Sequence, residues 1–288
     1  MGLETPGTGN CVFVTGTSSG IGQDAARELH RRGWRVFAGA RGSADLDRLR
    51  SQGLEPVRLD LADEASVDSA AAQVLERSAG RINGLVNNAA YGQPGAVEDL
   101  DRHALREQFE TNLFGTHQLT ARLLPAMREA GHGRVVQISS VLGLVALPWR
   151  GAYNASKFAL EALSDTLRLE LVGSGIHVSL VEPGPIESRF RSNALAALRR
   201  HVDTEASPHR EAYRGIVARL ESTDNARFTL PASAVTRCVI HALESDRPRI
   251  RYRVTVPTHL LAVLRRALPG RLLDAFILRV SRSEHRRR

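Results

Sequence analysis

The amino-acid sequence predicts an α/β protein with a doubly wound parallel sheet, and three observations carry that reading. Strand-like and helix-like segments alternate from Cys11 to about Val181, the pattern of a parallel sheet covered by helices. The strand-like runs are continuously apolar rather than alternating, as strands buried on both faces are. A glycine-rich turn follows the first of them directly.

Taken in order, the expected strands are CVFVT (11–15), WRVFAGA (34–40), PVRLD (56–60), INGLVNN (82–88), RVVQIS (134–139) and IHVSLVEP (176–183). Helical segments fill the intervals at 21–32, about 43–51, 64–78, 102–130 and 152–173, with Gly33 closing the first as a C-cap residue. Right-handed crossovers between parallel strands then give a Rossmann-type sheet. After Pro185 the alternation stops. Residues 187–246 read as helices and loops, RIRYRVTV (249–256) as a last strand, and 258–280 as helical around Pro269 and Gly270. With no internal repeat and no linker, residues 1–288 are expected to form a single domain. Within it, 187–230 is a helical excursion on the substrate side, and 257–288 is a C-terminal helical segment with a basic tail.

Composition narrows the classes. At 42% hydrophobic residues the chain can bury a proper core. Two cysteines, Cys11 and Cys238, make a disulfide framework implausible and offer no metal-ligand spacing. Both read as small apolar residues in a reducing, cytoplasmic setting. The opening MGLETPGTGN lacks the basic head and apolar run of a signal peptide, and no stretch reaches the roughly 18 unbroken apolar residues of a membrane span. The formal charge is +8, but much of the excess sits late in the chain, from Arg247 to the closing Arg286–Arg288. A nucleic-acid groove interleaves basic residues with stacking aromatics, and only 5% of this chain is aromatic. A solvated basic tail is the expectation, with no nucleic-acid partner.

The first strand runs into TGTSSGIG (15–22), which places Gly16, Gly20 and Gly22 in the turn and opening of a helix. Glycines there permit positive φ and close approach of the backbone to a phosphate, and the helix N-terminus presents free N–H groups to the anion. Glycines in a turn alone say little; their place directly after a buried strand points to a dinucleotide. An acidic residue at the end of the second strand would accept from the ribose 2′-OH of NAD, whereas an arginine favours the 2′-phosphate of NADP. Ala40 and then Arg41 stand there. NADP(H) is therefore expected, with NAD(H) as the alternative if Arg41 is only a surface charge.

GAYNASKFALEAL (151–163) puts Tyr153 and Lys157 four apart on one face of a helix. Proton delivery to a carbonyl oxygen suits a phenol whose pKa is lowered by a neighbouring ammonium. Taken alone, the same spacing also suits an amphipathic helix with a buried tyrosine and a snorkelling lysine. QISSVLG (137–143) ends the fifth strand with Ser139 and Ser140, at the sheet edge where this fold class binds ligands. A serine hydroxyl there can stabilise charge developing on a substrate oxygen, or merely cap a turn.

These motifs together resemble the short-chain dehydrogenase/reductase family over roughly residues 11–190, in order and with its spacing, and particularly its 17β-hydroxysteroid and retinol dehydrogenase-like members. The resemblance implies a catalytic tetrad of Asn112 (in TNLFG, 111–115), Ser140, Tyr153 and Lys157. It selects Ser140 over Ser139, because Ser140 lies thirteen residues before Tyr153. Tyr153 is then the general acid in reduction and the base in oxidation. Lys157 lowers its pKa and binds the nicotinamide ribose, Ser140 orients the substrate oxygen, and Asn112 holds a relay water. The implied coenzyme contacts are Gly16, Ser18, Ser19, Gly20, Ile21 and Gly22, then Arg41, Asp60, Leu61, Asn88 and Ala89, and finally Tyr153, Lys157, Pro183, Gly184, Ile186 and Ser188. Three departures stand out: Ala90 where the family has glycine in Asn-Asn-Ala-Gly, Ser188 for the usual threonine, and Ser19 without the basic residue of some NADP-preferring members.

The same resemblance, carried by 187–230 and RIRYRVTVPTHLLAVLRRALP (249–269), implies a hydrophobic secondary alcohol or ketone of steroid or retinoid type. A pocket near Val141, Leu142, Leu144, Leu147, Pro148, Trp149, Pro185 and Phe190 would be mostly apolar, unless these residues are ordinary core. Acyl or polar carbonyl substrates would share every motif, since fold and coenzyme site do not set substrate. A non-catalytic NADP(H) sensor would be expected to have lost Tyr153 or Lys157. The helix near 258–268 can serve as core, as a dimer contact or as a weak membrane-surface contact. A homodimer or homotetramer through 102–130 and 152–173 is the implied assembly.

Overall fold

In the computed structural model, which describes residues 10–224 and 227–285, seven parallel strands form one sheet in the order β3-β2-β1-β4-β5-β6-β7. The strands are β1 (Cys11–Thr15), β2 (Arg35–Ala40), β3 (Glu55–Arg58), β4 (Gly84–Asn87), β5 (Gly133–Ile138), β6 (Ile176–Glu182) and β7 (Arg251–Arg253). The opening segment 1–9, part of the 187–230 excursion (225–226) and the closing Arg286–Arg288 lie outside the described residues. The strand order reverses at β1, which pairs with β2 on one side and β4 on the other.

Period-two alternation within buried strands makes two cores, one on each face. From β1, Cys11 and Phe13 join Leu119, Leu123 and Met127 on one face. Val12 and Val14 join Leu29, Val235 and Val239 on the other. The first layer holds α3 (Glu64–Ser78), α5 (Gly115–Glu129) and α6 (Gly151–Glu170); the second holds α1 (Gly20–Arg31), α2 (Ser43–Ser51) and α9 (Ser233–Glu244). Helix starts follow local chemistry. Asp63 caps α3 by accepting from Ala65 N–H at 3.1 Å, and Asp101 caps α4 (Arg102–Phe109) by accepting from Ala104 N–H at 2.7 Å.

Three elements differ from the expected boundaries. The single helix expected over 102–130 is interrupted by a π-type turn, Glu110–Phe114; such a turn inserts a residue while the pattern on either side of it stays helical. The strand expected over 249–256 is only three residues long, because Pro257 starts α10 (Val256–Ala267). The segment around Pro269 divides into α10 and α11 (Gly270–His285). Between β6 and α9, α7 (Phe190–His201) and α8 (Arg210–Glu221) stand over the carboxyl ends of the strands. They share a small core of Leu198, Val202, Tyr213 and Ile216 with Ala96, Leu100, Ala104 and Ala152. The Tyr213 hydroxyl locks this core, donating to Asp99 at 2.6 Å and accepting from Ala96 N–H at 2.8 Å. No helix among the described residues is long and apolar enough to cross a membrane.

Helix α5 begins where Gly115 meets the loop after β3. A Cβ on Gly115 would lie 1.9 Å from the Leu61 carbonyl oxygen, and backbone cannot yield as a side-chain tip can. Gly115→Ala is therefore expected to destabilise the protein by about 1–3 kcal/mol, measured as a lower urea midpoint with an unchanged slope.

Candidate active site

The reversal of strand order at β1 opens a crevice at the carboxyl ends of the strands, where this topology places ligands. The turn between β1 and α1 is drawn tight against the end of β4. The Thr15 hydroxyl oxygen accepts from Asn88 N–H and Ala89 N–H, both at 3.0 Å. Asn88 Nδ2 in turn donates to the carbonyls of Thr15 and Gly16 at 2.9 and 3.2 Å. A Cβ on Gly16 would stand 2.8 Å from Ala89 Cα, and one on Gly22 would stand 2.3 Å from the Gly16 carbonyl oxygen. Gly22 thus closes the turn from behind, while Gly16, Ser18, Ser19, Gly20 and Ile21 line the crevice. Ser19, at the N-cap of α1, makes no side-chain capping bond. The opening N–H groups of α1 therefore have no side-chain cap to compete with an anion.

Around this turn the other expected coenzyme positions converge. Arg41 at the end of β2 is exposed and lines the crevice, as do Asp60, Leu61, Asn88, Ala89, Pro183, Gly184, Ile186 and Ser188. Ser188 packs over Gly20, where an added Cβ would sit 3.1 Å from Ser188 Cβ. Two arginines grip the Ser18 carbonyl at 2.8 Å each, Arg48 from α2 and Arg189 from the segment after β6.

Helix α6 lays its buried face along the other half of the crevice. Tyr153 and Lys157 are both buried and both line it, with Lys157 Nζ 5.8 Å from the Tyr153 ring centroid. Lys157 Nζ donates to the Ile138 carbonyl at 2.8 Å, at the end of β5. Burial pushes this amine down to about 8, against the pull of Glu161 one turn further along α6. Contrary to the lowering by Lys157 that the resemblance implies, burial pushes the Tyr153 phenol up to about 12, opposed by the Ser140 hydroxyl and, more weakly, by the Arg150 charge. The two serines separate here. Ser140 Oγ accepts from Leu142 N–H at 3.1 Å and faces Tyr153, whereas the Ser139 hydroxyl lies toward Glu161.

Asn112 sits behind the wall rather than on it. Its Oδ1 accepts from Tyr91 N–H at 3.1 Å, and its Nδ2 donates to the Tyr91 carbonyl at 2.9 Å and to Ser156 Oγ at 3.1 Å. The π-type turn carries it into this pocket.

The crevice widens into a cleft of about 2530 Å³ in all, larger than the roughly 300–1,000 Å³ of one drug-sized site. Val141, Leu142, Leu147, Pro148, Trp149, Pro185 and Phe190 line it as expected, and Phe190 sits edge-on to Tyr153 at 5.3 Å. Leu144 does not: it lies outside the lining, its carbonyl taken by Arg265 of α10. The sequence reading put 187–230 on the substrate side without naming the wall residues Ile216 and Leu220 of α8, and it missed the walls formed by Leu260 and Leu261 of α10 and by Phe276 and Ile277 of α11. It also missed Glu161, which the i, i+4 spacing Tyr153–Lys157–Glu161 could have flagged.

A family model for short chain dehydrogenase matches residues 10–198. The chain is 46% identical to the uncharacterized oxidoreductase YbbO of Escherichia coli K12 over 266 residues, covering 92% of this chain and 93% of that one. It is 36% identical to mouse 17-beta-hydroxysteroid dehydrogenase type 6, covering 95% and 89%. Among solved structures, a single-substitution variant of actinorhodin polyketide ketoreductase with NADPH is similar at 30% identity and a TM-score of 0.71, covering 87% of this chain and 97% of that one. A short chain dehydrogenase/reductase from Burkholderia phymatum in complex with NAD is similar at 25% identity and a TM-score of 0.75, covering 90% and 93%.

The buried amine has a measurable consequence. Because the folded pKa of Lys157 lies below its free value of 10.5, folding disfavours its charge; the penalty is full below about 8 and is relieved as pH rises to 10.5. In the coenzyme-free protein, Lys157→Met should gain stability relative to the parent at pH 7. That advantage should shrink by on the order of 3 kcal/mol by about pH 10.5, read as the difference between paired urea titrations.

Proposed function

Since the chain belongs to the short-chain dehydrogenase/reductase family, we propose that this oxidoreductase uses NADP(H) to interconvert a secondary alcohol and its ketone on a hydrophobic substrate of steroid or retinoid type. One observation carries the reading: Tyr153, Lys157 and Ser140 line the same cleft as the glycine turn. The chain fits a nicotinamide coenzyme. Gly16 and Gly20, both at positive φ, line the crevice at points where an added Cβ would meet Ala89 Cα at 2.8 Å and Ser188 Cβ at 3.1 Å, and the N-terminus of α1 faces it without a side-chain cap.

A nicotinamide bound there supplies the hydride in reduction and takes it up in oxidation; every proton movement falls to the chain. In reduction, the Tyr153 hydroxyl gives its proton to the carbonyl oxygen while Ser140 donates a hydrogen bond to the same oxygen. In oxidation, Tyr153 takes the proton, and the Lys157 ammonium beside it stabilises the phenolate. Lys157 is held for this by the Ile138 carbonyl. Asn112, whose side-chain amide is committed to Tyr91 and Ser156 behind the cleft wall, has the water-relay part only as the family resemblance implies it.

Arg41 supports the choice of NADP(H), since it lines the cleft and follows Ala40 at the β2 end, where an acidic residue would favour NAD. A hydrophobic substrate is supported by the apolar lining next to Tyr153. The cleft lining also includes eight arginines, of which Arg200 pairs with Glu107 and Arg214 with Glu211, each at 2.7 Å. Exposed Leu105, Phe114, Leu163 and Leu169 on or beside α4, α5 and α6 support pairing of copies through those helices.

Tyr153→Phe should lower turnover by about 10²- to 10⁴-fold while its NADPH affinity, followed by coenzyme fluorescence, stays within about threefold; parent-like turnover would refute the mechanism. Arg41→Asp should cut the ratio of NADPH to NADH affinity by about tenfold or more, equivalent to about 1.4 kcal/mol. An unchanged ratio would remove the basis for preferring NADP(H). The substrate class is open to an NADPH-consumption screen, in which activity confined to small polar aldehydes would count against it.

A further inference from the structure

Helices α10 and α11 close the end of the cleft, and α10 has a face left exposed by the described residues. Its buried side is Thr258, Leu261 and Ala262, with Arg265 reaching back to the Leu144 carbonyl and the Phe158 ring. Opposite stand Val256, Leu260, Val263 and Ala267, all exposed, the first three at 61%, 47% and 59%. At helical spacing these four fall within about 60° of arc, a continuous apolar stripe. On α11, Leu272 at 58% and Leu278 at 44% add to the exposed apolar surface.

Charge says what fits this face. Exposed Arg266, Arg271 and Arg279 accompany it, with Asp274 the one acidic residue between Val256 and Ser281. At the level of sequence, residues 256–288 hold eight arginines against Asp274 and Glu284, which is +6 of the chain's +8. Two copies meeting symmetrically through the stripe would set this positive surface against itself. An anionic lipid surface takes the apolar stripe among its acyl chains and the arginines at its headgroups. The stripe is also continuous with the catalytic cleft: Val256 and Leu260 belong to both, and Phe276, Ile277 and Val280 of α11 extend the lining inward.

We propose that the exposed face of α10, with the adjoining arginines of α11, docks this protein reversibly on anionic lipid surfaces and turns the mouth of the cleft toward the bilayer. A lipophilic ligand would then pass between bilayer and cleft without crossing water. Only that last consequence rests on the oxidoreductase reading; docking does not.

The test uses the whole chain, without coenzyme or substrate, in co-sedimentation with vesicles of phosphatidylcholine containing about 30% phosphatidylserine. Binding is expected, falling about tenfold or more on pure phosphatidylcholine or in about 0.5 M NaCl. The double variant Val263→Asp/Leu272→Asp changes two exposed side chains outside the cleft lining. It should lose binding about tenfold or more while keeping the parent's NADPH affinity and thermal midpoint. Vesicle binding equal to that of the parent would overturn the proposal, as would a parent that binds no vesicles. A variant that converts a parent oligomer to a smaller species in sedimentation velocity would also overturn it, assigning the stripe to a second copy.

Discussion

The burial of one amine, that of Lys157, sets the terms for the rest of the site. An ammonium out of water is costly unless its hydrogen bonds and charge are answered locally, and this residue is only 3% exposed. Three groups answer it from fixed directions: the Ile138 carbonyl at the end of β5, the Tyr153 ring one turn earlier on α6, and Glu161 one turn later. Tyr153 and Glu161 travel with Lys157 on α6, so it is the Ile138 carbonyl that requires the helix to be docked on the end of β5. Glu161 is tied onward in its turn. Arg251 of β7 donates to Glu161 at 3.1 Å, to Asp165 at 2.6 Å and pairs with the fully buried Glu182 at 3.0 Å. Arg251 thus ties Glu161 and Asp165 of α6 to Glu182 at the end of β6.

The glycine turn meets an opposite requirement. Lys157 must be enclosed, whereas the start of α1 must stay open. The chain manages this by bringing backbone against backbone. With Gly16 and Gly22 lacking side chains, the Thr15–Asn88 hydrogen bonds can draw the turn onto β4. The N–H groups at the start of α1 are left facing the crevice. The reversal of strand order at β1 makes both demands compatible, since it parts the helices of the two faces just beyond Thr15.

What was legible in the sequence follows from how local each signal is. Strands buried on both faces declare themselves as unbroken apolar runs, and every one was readable, from CVFVT to IHVSLVEP. The spacing of Ser140, Tyr153 and Lys157 was readable because one strand end and one helix face place all three. The π-type turn at Glu110–Phe114 was not, because inserting a residue leaves the apolar period intact on both sides. RIRYRVTV alternates well enough to suggest a long strand, yet Pro257 and the start of α10 cut it to Arg251–Arg253. Leu144 looked like its cleft-lining neighbours, but the short helical turn Val141–Gly143 rotates it away. The wall residues of α8, α10 and α11 were hidden for a different reason. Their contribution depends on where helices distant in sequence come to rest, which no spacing within one segment reports.

That division explains why the chemistry is easier to read than the substrate. The groups proposed to react stand on α6 and just beyond the end of β5, elements fixed by two cores and by the buried Lys157. The far wall is assembled from segments after Pro185, which pack on one another through small satellite cores such as Leu198–Tyr213–Ile216 and Val145–Leu261–Ile277. Substitutions there alter the shape of the cleft without disturbing the strand ends. A protein built this way can keep proton delivery constant while its ligand changes. On the proposed function, the part of the cleft open to such change is the wall lined by α7, α8, α10 and α11.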